Sequence, residues 1–180
     1  MRLLVTAALC VVMMTAAAAA GSTKDGGPRL RPQDSRSKDV LREGMARSAT
    51  FRALVERIEA STVIVYLSVN PALKPNLAGQ LTWMTRAGGY RYVRASIGPD
   101  QPLNQMIATV AHELRHAIEV IDDESVTDET TLIELYRRIG HQDTTVSPNR
   151  WETVAAQETG QRVRRELTGA SASAMMAKAS

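Results

Sequence analysis

The chain has 180 residues, enough for one domain whose core needs no disulfide staples. Its charge is near balance, +3 from 22 basic and 19 acidic residues, and no Lys/Arg block stands out, so a nucleic-acid partner is not expected. Cys10 is the only cysteine and falls in the first apolar run, which leaves any metal site to histidines and carboxylates.

Arg2, the apolar run from Leu3 to Met14 and the small residues up to Ala20 have the layout of a cleavable secretory signal over residues 1–20. The apolar run is short for a bilayer span, which needs about 20 residues. An exported chain, periplasmic or extracellular, without a stable membrane span is the expectation. Residues 21–38 are rich in Gly, Pro, Ser and charge and read as a flexible lead-in. A single domain is expected over 39–169, followed by a disordered Ala/Ser/Met tail over 170–180.

Phe51, Leu54, Val55 and Ile58 recur at helical spacing and predict a helix from Ser48 to about Ala60. Ser61 to Asn70 is dense in Val, Ile and Tyr and predicts a strand. Leu81 to Arg86 and Tyr90 to Ile97 read as two strands joined through Gly88 and Gly89, which tolerate the positive φ of a tight hairpin. Asp100 is a candidate cap for a helix from about Gln101 to Ile121. A shorter helix fits Asp128 to Ile139, with Arg137 and Arg138 in its last turn and Gly140 as the stop. A third fits Arg150 to Leu167. The pattern is α+β: a small antiparallel or mixed sheet packed on a central helix, then C-terminal helices.

The central helix carries His112-Glu113-Leu114-Arg115-His116, a complete H-E-x-x-H string. Histidines four residues apart share a helical face, so two imidazoles can reach one Zn²⁺, and the intervening Glu113 can act as general base on an activated water. At about 100° per residue, Leu103, Ile107, Val110, Leu114, Ala117 and Ile121 form an apolar stripe roughly opposite His112, and His116 and Glu119 fall near His112. The bland alternative is a pair of surface histidines.

A third ligand has two candidates. On a helix over 150–167, Glu152 shares the face of Ala155, Ala156, Thr159, Val163 and Leu167, so its carboxylate turns inward, where a metal would satisfy it. A capping box with Asn149 is the competing role. Glu119 shares the histidine face but lies about 10 Å from His112 along the axis. It is better placed to accept a histidine N–H than to share the ion. Tyr136 and His141 are weaker candidates for polarising a carbonyl oxygen. Tyr136 falls at core spacing with Leu132, Leu135 and Ile139. The acidic run Asp122-Asp123-Glu124 reads as a solvated helix end, because no calcium-loop pattern accompanies it.

At these residues the chain resembles the zincin metallopeptidases, and their gluzincin branch in particular. There H-E-x-x-H on one helix is completed by a Glu from a later helix, often as Glu-x-x-x-Asp or Glu-x-x-x-Ala, the latter matched here by Glu152 and Ala156. The resemblance covers roughly Thr62 to Leu167. It implies a zincin-like fold, Zn²⁺ held by His112, His116 and Glu152, Glu113 as general base, and a peptide or protein substrate. It also implies an edge strand before the active helix that holds extended peptide, and Tyr90–Ile97 occupies that place. The metzincin pattern is absent: Glu119 stands where its Gly would, and no His stands three residues beyond it. The rival expectation is a non-catalytic zincin-like binding module of the cell envelope.

Overall fold

A computed structural model of the chain describes residues 26–142 and 151–179. The expected signal over 1–20 lies outside them, as does Asn149. Strand β1 (Leu30–Pro32) is followed by helices α1 (Ser35–Arg47) and α2 (Ala49–Glu59), strands β2 (Val63–Val69), β3 (Gly79–Ala87) and β4 (Tyr90–Ile97), then helices α3 (Leu103–Asp122) and α4 (Glu129–Ile139). The short strands β5 (His141–Gln142) and β6 (Trp151–Glu152) pair antiparallel before α5 (Val154–Ala179). The architecture is α+β, with a mixed four-stranded sheet.

The sheet order is β1-β2-β4-β3. β1, β2 and β4 run parallel, and β3 runs antiparallel to β4. Tyr90–Ile97 is therefore an interior strand, and the expectation that it forms the open edge is corrected. The edge is β3. Gly88 and Gly89 make the β3–β4 turn at φ 57° and 82°, as the sequence predicts. Sheet order depends on pairings distant in sequence, which local periodicity does not encode.

Two terminal expectations are also corrected. The lead-in over 21–38 contains β1 and the start of α1. Asp34 caps α1 and also accepts from the Val69 amide of β2. Burial disfavours its charge, but bonds from Ser37 and Val69 hold its carboxyl below the ordinary range all the same. At the other end, α5 continues as helix to Ala179.

One face of the sheet, with Val63, Val65, Leu67, Val93, Ala95 and Ile97, joins the side chains of the helices in one apolar core. Tyr66 and Tyr92 stack, ring centroids 6.5 Å apart, with Arg31 over Tyr66. Helix α3 is the centre of the molecule, against β2, β3 and β4 and also α1, α2 and α5. Its C-terminus is closed by Arg91 of β4, whose guanidinium donates to Val120 O and Asp123 O at 2.7 Å. A cation there opposes the helix dipole. The N-terminal cap expected of Asp100 is not formed; Pro102 holds that position without a side-chain bond. Asp123 pairs with Arg138, and Asp122 with Arg57, so the acidic run ends the helix in ion pairs. Among the described residues no helix is long and apolar enough to cross a membrane.

Candidate metal centre

Helix α3 is buried on nearly all sides, and its apolar stripe is only one of its covered faces. The histidine face is closed by α5, whose Gly160 lies against it. A Cβ on Gly160 would stand 3.2 Å from Ala108 O and 3.4 Å from His112 Cβ, so the missing side chain lets α5 come this close. His116 is buried, and the His112 side chain keeps 17% exposure. The helix thus presents one sheltered and one accessible imidazole toward the same point.

Glu152 completes the cluster. Donor atoms of His112, His116 and Glu152 all lie within 4.8 Å of one another. His112 Nε2 stands 3.2 Å from His116 Nε2 and 3.2 Å from Glu152 Oε2. Two atoms each about 2.0–2.2 Å from a single tetrahedral ion stand roughly 3.3–3.6 Å apart, so these separations suit one shared ion after small adjustment. The carboxylate comes from a different element than expected. Glu152 lies in β6, not on a helix, and α5 begins after Thr153. Extending the α5 wheel backward places Glu152 inward because the strand enters on the buried side of that helix.

Glu119 takes the role its spacing predicts. Its Oε2 faces His116 Nδ1 at 2.8 Å. An ionised carboxylate only accepts, so this contact suits the tautomer that carries its proton on Nδ1 and turns the Nε2 lone pair to the cluster. With Glu152 supplying further lone pairs, the set could hold a metal cation.

Around this point lies a cleft of about 640 Å³ bordered by β3, α4 and β6. Glu113, His116, Tyr136 and Glu152 line it, together with both tryptophans of the chain, Trp83 and Trp151. Glu113 is buried at its wall. Gly79 of β3 makes room for it: a Cβ there would stand 2.6 Å from Glu113 Oε1. Tyr136 is buried and meets the His116 ring edge-on at 5.4 Å. Among the described residues its hydroxyl has no hydrogen-bond partner. Burial first, then the nearby Glu119, Glu113 and Glu152 charges, push that phenol well above its usual range, so it stays a proton donor. His141, in contrast, is exposed on β5 and is outside the cluster.

No protein-family model, curated protein or solved structure matches this chain. The geometry and chemistry of the cluster therefore carry the functional argument.

Proposed function

We propose that this protein is a small exported zinc-dependent peptidase of the zincin kind. The observation that carries this reading is the approach of His112, His116 and Glu152 to one point beside a buried Glu113 in an open cleft. With three protein ligands, a fourth position is left for water or substrate, the arrangement of catalytic rather than structural zinc. A bound zinc ion would polarise the scissile carbonyl and acidify the attacking water. Glu113 takes the proton from that water and returns it to the leaving amine. The Tyr136 hydroxyl, which lacks an acceptor among the described residues, donates to the oxygen on which negative charge grows. An extended peptide adds as a strand along β3, the edge that borders the cleft from Gly79 to Trp83.

The test is metal analysis of the purified chain followed by cleavage of a broad peptide library. Zinc at one equivalent is expected, with cleavage that Glu113→Gln lowers by about 10²–10⁴-fold while zinc stays bound. A chain that neither carries zinc nor gains thermal stability on its addition would sink the metal reading. Zinc binding without any cleavage by the wild type would leave a peptide-binding module instead.

A further inference from the structure

Thr153 directly follows Glu152 and is 2% exposed. Its Oγ1 donates to Glu119 Oε1 at 2.6 Å, across 34 positions of sequence. The same oxygen accepts from the Ala156 amide at 3.1 Å and so caps the first turn of α5. A hydroxyl has one proton to give. With the helix amide on its acceptor side, that proton goes to Glu119. The other Glu119 oxygen holds His116 Nδ1.

These bonds close a ring. It runs from His116 through Glu119 and Thr153, along one peptide link to Glu152, and back through His112 Nε2. We propose that Thr153 is a positioning residue for the metal centre. Its hydroxyl fastens the strand that carries the third ligand to the carboxylate that orients His116. This inference rests on the metal reading and goes beyond it, because it assigns the geometry of the site to a residue that touches neither metal nor substrate.

Three features support it. The bond is short and ends on a carboxylate, the class of hydrogen bond that is strongest. It is buried at both ends, Glu119 being 5% exposed, so water does not compete for it. It also joins the helix that carries both histidines to the end of β6, the two-residue strand that carries Glu152. Partners that orient metal ligands in this way change metal affinity by about 10–100-fold when removed.

The experiment measures zinc affinity of the full chain by chelator competition, with the absorption spectrum of the cobalt-loaded protein as a report of geometry. Thr153→Val is expected to weaken zinc by about 10–100-fold and to alter the cobalt spectrum, and Thr153→Ser, which keeps the hydroxyl, is expected to restore both. Asp34→Ala removes the cap of α1, which contributes no residue to the cluster, and should leave zinc affinity unchanged, which separates positioning from general loss of stability. In a Glu119→Ala background, Thr153→Val should add no further loss, because the two act through one bond. If Thr153→Val does not fold, Thr153→Ala is read against Thr153→Ser in its place. Wild-type affinity and spectrum in Thr153→Val would overturn this proposal while leaving the metal reading intact. A wild type that binds no zinc would overturn both.

Discussion

Helix α3 delivers His112, Glu113 and His116 from twenty residues of continuous helix, packed on the sheet and on α1, α2 and α5. Glu152, on the opposite wall of the cleft, comes from a strand of two residues that pairs with β5. The first wall is held by the core of the whole protein. The second is anchored by α5, whose Ala156, Val163 and Leu167 are buried and which packs on α3, and by polar bonds that include those of Thr153 and, further along α5, of Glu166. Glu166 accepts from Ser48 Oγ and Thr50 Oγ1 at 2.5 Å and so anchors α5 to the start of α2. The contrast teaches that stability and site geometry are separable here: the α3 side should fail by unfolding, and the Glu152 side by losing its ligand while the fold persists.

The largest effect expected is on that contrast itself. His116→Ala and Glu152→Ala should both abolish tight zinc binding, but only His116→Ala should also destabilise the metal-free chain. It leaves the buried Glu119 oxygen without its partner, at a cost of about 1–3 kcal/mol. Metal-free melting curves of the two variants check this, and equal melting temperatures would remove the distinction between the walls. Next comes Gly79→Ala. Its new Cβ would meet the Glu113 carboxylate, so peptide cleavage should fall together with about 1–3 kcal/mol of stability, with zinc still bound. An alanine variant with normal cleavage would mean that Glu113 has room to spare.

Tyr136→Phe should move the two quantities in opposite directions. Cleavage should drop by about 10²–10³-fold, as for loss of one oxyanion donor. Melting temperature should hold or rise, because a buried hydroxyl without a partner is deleted. A fall in melting temperature would show that the hydroxyl serves the fold. The smallest effect concerns acid. Burial works against ionisation of Glu166, yet bonds from Ser48 and Thr50 hold its carboxyl below the ordinary value of 4.5. A folded-state pKa below the unfolded one contributes stability above the unfolded value that fades as pH falls through the folded one. Denaturant titrations from neutral pH down to below 4.5 should show Glu166→Gln less stable at neutral pH and less sensitive to acid. Parallel pH profiles would exclude the role of that carboxylate.

Much of the α3 wall was legible in the sequence because its signals are local. Ligand spacing, apolar period and the Glu119 offset all lie within one helix, and the structure keeps their relation. Glu152 was found through the wrong element: the helix wheel pointed it inward, and a strand puts it there. Helix α1 was missed because its buried positions are Ser37, Val40 and Gly44, a pattern with one apolar side chain. The spacing Asp34-x-x-Ser37 was its only strong signal. Strand β1 is three residues long and ends in Pro32, below the length at which alternation can be seen. Thr153 carried only the mild signal of a threonine before a helix. Its bond to Glu119 spans 34 residues, and no local pattern encodes it.

Trp83 and Trp151 are the chain's only tryptophans, and both border the cleft, one from β3 and one from β6. Native ultraviolet emission from this protein therefore originates at the rims of a single groove. A paramagnetic ion such as Cu²⁺ seated there would dim it, and a peptide sliding between the rims would shift its colour, so occupancy can be followed on unlabelled material.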